Sequence, residues 1–272
     1  MSDTSEPQTW HYGVVARWWA EFNTSGPEIE YFRRFVEPGQ PALDVACGTG
    51  RLLIPYLRDG LDVDGCDVSA DMLTLCRERA EREGLSPTLR LQAMHHLDMP
   101  RRYRTIYVCG SFGVSGNREQ SEQALLRMYE HLEPGGALVL DHEVPYAEGW
   151  GWEYWIKERR RGLPEPWPEP GERRVGSDGT EYELRSRIVE VDPLAQQITH
   201  EMRGFMWRDG RLVEQDEHVL KTMEYFPNEL HLTIERAGFV DVEMRAAYTD
   251  ELPNADTEFV VFIARKPSAG GT

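Results

Sequence analysis

The stretch ALDVACGTGR, residues 42–51, drops an acid and then two glycines out of an apolar run. In a strand, glycine turn, helix unit, the glycines let a ligand approach the backbone, and the helix start presents unpaired N–H groups. Pyrophosphate is the common ligand of such a turn, but three features oppose it. Asp44 at the strand end repels phosphate, Leu53 stands where a dinucleotide fingerprint has its third small residue, and Arg51, Leu52 and Leu53 read as a helix packing onto a sheet. A carboxylate beside the turn suits a ligand with positive charge, such as an α-ammonium or sulfonium group. Asp67 follows 19 residues after Gly48, at a second strand end where an acid accepts hydrogen bonds from ribose hydroxyls. The ligand is then a nucleoside with a cationic amino-acid appendage, a description that fits S-adenosylmethionine.

Strands and helices must alternate to place these residues together. TWHYGVVARWWAEF (9–22) and EIEYFRRFV (28–36) read as helices, PALDVA (41–46) as a buried strand and LDVDGCDV (61–68) as a second one. Between them RLLIPYLRDG reads as a helix ending at Gly60; after them a helix starts at a Ser69 cap and ends at Gly84. Strands at 88–94 and 105–111, a helix at 119–132 and a strand at 137–143 continue the pattern, which means a parallel sheet with right-handed crossovers. Residues 146–180 read as a long irregular insertion rich in Trp, Pro and Gly, followed by three antiparallel candidates at 181–192, 196–207 and 211–226. A helix at 227–238 and strands at 239–248 and 257–266 close the chain as an edge hairpin.

LDVACGTGR, GCDVSADML, YVCGSFG and HLEPGGALVLD, in this order and spacing, resemble the class I S-adenosylmethionine-dependent methyltransferases in their small-molecule branch. The resemblance is strong over about residues 28–143, and ERAGFVDVEM through FVVFIARK is similar to the family's C-terminal helix and hairpin. The inserted strands are similar to those of the sugar-amine N,N-dimethyltransferases and the glycine N-methyltransferase group. It implies an α/β fold: a Rossmann-like seven-stranded sheet with an antiparallel insertion after the fifth strand. The corresponding regions are an N-terminal helical lid (1–36), a cofactor-binding core (37–143), an insertion serving substrate or oligomer contacts (144–226) and a C-terminal completion (227–272).

Residue by residue, the resemblance implies that Asp44 and the backbone of Ala46, Cys47, Gly48 and Gly50 hold the methionyl moiety, Ala46 replacing a family glycine. Asp67 takes the ribose, with Val68 and Met72 beside the adenine. Ala93 and Met94 end the third strand where the family often has an Asp, leaving His95 or water for the adenine amino group. Tyr12 and either Trp18 or Trp19 are the lid aromatics. Thr105 stands where an Asp is typical of strand four, without a functional account.

Methyl transfer is an in-line displacement on an already activated carbon, so positioning dominates and a base is needed only for a protonated nucleophile. Strand four offers Ser111 and Phe112, and strand five offers Asp141, His142, Glu143 and Tyr146. His142 or Glu143 is the expected base or amine-orienting group, with Tyr146 beside them; the bland alternative is that the Asp-His-Glu run only closes the strand. GWGWEYW (149–155) could line the acceptor pocket or form a subunit contact, which leaves a homodimer open.

The charge balance limits the partners. There are 30 Lys and Arg against 47 Asp and Glu, a formal net charge of −17, which argues against nucleic acid and anionic membranes and for a small-molecule methyl acceptor. Four cysteines without CxxC pairing imply neither zinc nor disulfides, and His95-His96 is expected to point apart on an extended segment, so no metal is expected. Without a signal-like start or a membrane-length apolar run, a cytoplasmic location is the expectation. The leading reading is N- or O-methyl transfer from S-adenosylmethionine, S-adenosylhomocysteine being the product. The rivals are a non-catalytic cofactor-binding or assembly protein and a nicotinamide-dependent oxidoreductase on the same fold.

Overall fold

Short apolar segments alternating with amphipathic helices must be covered on both faces, and a parallel sheet between helices achieves this. The computed structural model describes residues 9–147 and 149–268; the outermost ends of the lid and C-terminal regions, and Glu148 in the insertion, lie outside the described residues. Helices α1 (Gly13–Phe22) and α2 (Glu28–Val36) precede β1 (Ala42–Val45), α3 (Leu53–Arg58), β2 (Val63–Asp67), α4 (Ala70–Arg82), β3 (Leu89–Leu91), β4 (Tyr103–Val108), α5 (Arg118–His131) and β5 (Leu132–Glu143). The insertion holds α6 (Gly149–Trp152), α7 (Lys157–Arg160), β6 (Arg174–Val175), β7 (Glu181–Asp192), β8 (Gln197–Arg208) and β9 (Arg211–Met223). Helix α8 (Pro227–Arg236), β10 (Val240–Ala246) and β11 (Phe259–Arg265) complete the chain.

Seven strands form one sheet in the order β10-β11-β5-β4-β1-β2-β3, and β6 to β9 form a second, four-stranded antiparallel sheet. β1 pairs in parallel with both β2 and β4, so the strand order reverses at β1 and opens a crevice at its carboxyl end, where α/β sheets bind ligands. Side-chain alternation splits the core: Leu43, Val45, Ile106 and Leu140 pack on one face, while Tyr107, Val139 and Val261 pack on the other with Phe32 and Tyr56. Helix α1 lays Val14, Trp18 and Phe22 on Tyr182 and Met206 of the inserted sheet.

The expected fold holds, with local differences. Residues 9–12 are not helical: α1 starts at Gly13, whose φ of 54° lies outside the right-handed helical region, and Tyr12 is extended before it. β3 stops at Leu91, and Met94–His96 form a single 3-10 turn rather than a strand end. β5 starts earlier than expected, at Leu132, because the Glu-Pro-Gly-Gly segment continues the strand across a register shift against β4. The inserted sheet gains β6, a two-residue strand paired to β7 from within the segment expected to be irregular.

The Ser69 cap is present, and it does two jobs: its Oγ accepts the Met72 N–H at 3.2 Å and donates to the His11 carbonyl at 2.5 Å. It therefore starts α4 and pins the N-terminal segment. Thr105 donates to the Phe35 carbonyl at 3.1 Å, so its place in β4 is explained by holding the end of α2. Replacing Ser69 with Ala is expected to cost about 1–2 kcal/mol, read by urea unfolding, with faster hydrogen exchange over residues 9–22. Unchanged exchange there would show that the lid is held elsewhere.

Candidate active site

Asp44, next to last in β1, is 3 % exposed. Burial pushes its carboxyl well above the usual carboxylate range, the Tyr107 hydroxyl opposing part of the rise and the nearby Asp67 charge adding to it. No cationic side chain among the described residues offsets this. Ala46 follows in the left-handed region, φ 61°, and Gly48 at φ 53°. A Cβ at Gly48 would meet nothing within 4 Å; its free side faces a cavity of about 260 Å³ lined by β1, β2 and β4 loop residues. Asp67 fixes this turn, one oxygen accepting the Gly48 N–H and the other the Ser69 N–H, both at 2.8 Å. Burial raises the Asp67 carboxyl, and these amides partly oppose the rise.

Of the expected cofactor residues, Asp44, Ala46, Cys47, Gly48, Asp67, Val68, Met72, Ala93, Met94, His95 and Ser111 surround this one cavity. Three do not. Gly50 faces the core, where a Cβ would lie 2.7 Å from the Cys76 Sγ, so it permits packing instead of ligand approach. Phe112 is turned to a second cavity. Tyr12 sits behind the wall and donates to the Val68 carbonyl at 3.4 Å. The lid aromatic on the cavity is Trp19, while Trp18 packs on the inserted sheet. His95 and His96 do not point apart: the 3-10 turn brings their rings to 4.2 Å between centroids, and burial lowers the basicity of His95. Among the described residues no group of three or more His, Cys, Asp or Glu is placed to hold a metal, and all four cysteines are free thiols.

Sequence reasoning missed Arg51. It lines the cavity, pairs with the buried Glu28 of α2 and donates to the Cys109 Sγ at 3.5 Å. A cation directly after the glycine turn, before the apolar start of α3, was its only signal. Asp141 was expected near the chemistry, but its carboxylate is already engaged: it accepts from the Gly110 N–H, the Tyr248 hydroxyl at 2.8 Å and the Cys109 thiol at 3.3 Å. That set fixes the loop after β4, whose Gly110, at φ 62°, has open space where a Cβ would be.

The second cavity, about 400 Å³, adjoins the first through His11, Trp19, Gly110, Ser111 and Val114. His142 and Glu143 lie on it as expected, facing residues of the inserted sheet. His142 is committed to structure: its Nε2 accepts the Tyr225 N–H at 3.3 Å, and burial lowers its pKa to about 4. Tyr146 is not on the cavity wall; it is 46 % exposed and packs against Trp152 and Phe226. Trp150 side-chain placement lies outside the described residues. Ser186, His200, Thr222 and Glu224 line the same cavity and had no motif to announce them.

A crevice with a glycine turn and buried acids at a strand switch point is where α/β sheets bind their ligands, and comparison with known chains narrows the class. Residues 42–136 match the methyltransferase domain family. A chain of Geobacillus sp. (strain WCH70), provisionally named a methyltransferase, is 26 % identical over 227 residues, 82 % of this chain and 83 % of that one. The dTDP-3-amino-3,4,6-trideoxy-alpha-D-glucopyranose N,N-dimethyltransferase of Streptomyces venezuelae is 33 % identical over 112 residues, 40 % of this chain and 46 % of that one. Among solved structures, an S-adenosylmethionine-dependent methyltransferase of Clostridium acetobutylicum has the same fold, with TM-score 0.70 at 16 % identity over 93 % of this chain and 98 % of that one. The chain is a class I S-adenosylmethionine-dependent methyltransferase, and S-adenosylmethionine is its cofactor. No helix of the described residues is long and apolar enough to cross a membrane.

The fold holds Asp44 more protonated than the unfolded chain does, so its contribution favours folding at low pH and is lost as pH rises through the elevated pKa. Asp44→Asn is therefore expected to raise the Tm of the ligand-free protein, by a margin that grows from acid to neutral pH. The same change should weaken S-adenosylmethionine binding at least about tenfold, or ~1.4 kcal/mol. A lower Tm at neutral pH would contradict this account of the buried acid.

Proposed function

We propose that the chain transfers a methyl group from S-adenosylmethionine to the nitrogen of a small-molecule amine bound in the second cavity. The observation that carries this is the charge of that cavity. Asp141, Glu143 and Glu224 line it with Trp10, Trp19 and Phe112, and no Lys or Arg is among its described lining residues. Such a wall attracts a cationic or amine acceptor through carboxylates and aromatic faces and offers nothing to a phosphate or carboxylate substrate. The printed names of the Streptomyces venezuelae dimethyltransferase, and of a sugar N-methyltransferase from Streptoalloteichus sp. whose fold matches with TM-score 0.66 at 18 % identity over 98 % of each chain, support nitrogen as acceptor.

The cofactor, when bound, supplies a methyl group already activated on a sulfonium. The first cavity fits it. Asp44 offers a carboxylate to an α-ammonium or sulfonium, Arg51, held by Glu28, lies on the same wall, and the bare side of Gly48 leaves room for the methionyl chain. Asp67 keeps unused lone pairs for ribose hydroxyls, and Val68, Met72 and residues 92–95 form the base-binding wall. Trp19 and Val114 stand at the junction of the two cavities and keep water from the transferring carbon.

Calorimetry with S-adenosylmethionine and S-adenosylhomocysteine should give dissociation constants on the order of 1–10 μM, weakened at least about tenfold by Asp67→Ala, with NAD not binding. Mass spectrometry of a panel of aliphatic, sugar and aryl amines, set against matched phenols and carboxylic acids, should then show methyl gain on nitrogen. Tighter binding of NAD, or transfer only to oxygen, would overturn the reading.

A further inference from the structure

An amine reaches a protein near neutral pH mostly as an ammonium ion, which has no lone pair to attack with. Something in the acceptor cavity has to take its proton, and the strand-five groups are poorly suited. His142 spends its Nε2 on the Tyr225 amide. Asp141 is held by three donors. Glu143 is exposed at the rim.

The inserted sheet supplies a better group. The register places Ile198 opposite Thr222 and His200 opposite Leu220, so alternation puts all four on one face, and all four line the acceptor cavity. Thr222 donates its hydroxyl to the Glu224 Oε1 at 3.0 Å, and the His200 Nε2 lies 3.4 Å from the Thr222 Oγ1. The trio is anchored at the right place. Thr222 forms a β-bridge with Val114, which lines both cavities, and the Met223 N–H donates to the Gly113 carbonyl at 2.7 Å.

We propose that Glu224 is the base that takes the proton from the acceptor ammonium, with Thr222 and His200 as the positioning residues that hold its carboxylate on the wall of the acceptor cavity. The N–H bond breaks toward Glu224, which becomes a carboxylic acid. The freed lone pair forms the nitrogen–carbon bond as the methyl–sulfur bond breaks, and that electron pair stays on sulfur. Charge balances: the nitrogen regains its positive charge and the sulfur becomes neutral. Burial raises the basicity of Glu224, which suits the task, and the Thr222 hydroxyl opposes only part of the rise. Burial also keeps His200 neutral, its pKa lowered to about 4 with Glu165 nearby opposing the shift, so no imidazolium neutralises the base. The other titratable groups facing this cavity are His11, Asp141, His142 and Glu143.

The proposal rests on the amine reading above, and one experiment separates the two. Methyl transfer to benzylamine, cyclohexylamine and glucosamine is followed against pH for wild type, Glu224→Gln, Glu224→Asp and Thr222→Val. Benzylamine binding to the S-adenosylhomocysteine complex is measured by calorimetry alongside. Glu224→Gln, nearly isosteric, should lower kcat about 100-fold at neutral pH, with the loss shrinking to a few-fold once pH exceeds the pKa of the amine itself. Thr222→Val should lie between, and Glu224→Asp should recover part of the rate. Binding of S-adenosylhomocysteine should not change, whereas the benzylammonium ion should bind the Gln variant more weakly. A loss equal at every pH, or one confined to KM, overturns the base while amine methylation stands. Transfer to none of the amines overturns both.

Discussion

One carboxylate ties the site together. Asp67 accepts the amide of Gly48 from the β1 turn and that of Ser69 from the start of α4, so two separate loops are set by a single side chain. Ser69 in turn holds the His11 carbonyl, and the Gly13 amide reaches Asp71 at 2.8 Å. The next link crosses to the insertion, where the Val14 amide donates to Asp216 of β9 at 2.7 Å. A short run of hydrogen bonds therefore connects the β1 turn, the N-terminal segment and the inserted sheet. Displacing any one of them shifts the relation between the two cavities, and methyl transfer depends on that relation because its gain comes from alignment.

Much of this was legible in the sequence for a simple reason. Buried parallel strands are apolar runs bounded by glycine and acid, so β1 and β2 announce both themselves and the acids at their ends. The first cavity is built from such strand ends, and it gathers most of the residues that the motifs single out. The inserted strands were equally plain: β7 spans the expected residues. Their chemistry was not. His200, Thr222 and Glu224 come together through strand register and through a bridge to Val114 more than a hundred residues earlier, and no spacing in the chain encodes that. Arg51 and Tyr248 became visible only once α2 and the β10 to β11 loop had packed beside them. Gly50 misled for the opposite reason, since a glycine demanded by packing looks in sequence like one demanded by a ligand.

The site concentrates acids at a cost to the fold. Burial raises the carboxyl groups of Asp44, Asp67, Asp141 and Glu224 alike, so each carries a desolvation cost when ionised that a nearby positive charge would relieve. Stability alone would replace them with neutral groups. Their concentration around two adjoining cavities marks these as working sites, in the way perturbed acids do generally, and is what the proposed cationic ligands would answer.

That leaves an electrostatic problem which the arrangement itself answers. On the amine reading, a sulfonium in the first cavity and an ammonium in the second would repel across the junction that Trp19 and Val114 line, and a low dielectric would make the repulsion stronger. Carboxylates at fixed positions can screen the two cations but cannot make the ammonium nitrogen nucleophilic. Moving one proton from the acceptor to a carboxylate removes the repelling charge and exposes the lone pair in a single step. A base at the junction therefore does more than a base at the rim, because the charge it removes is the one closest to the sulfonium. Glu224 lies on the wall of the second cavity, and its partner Thr222 pairs with Val114 of the segment that both cavities share, which is why it is the group proposed for this step.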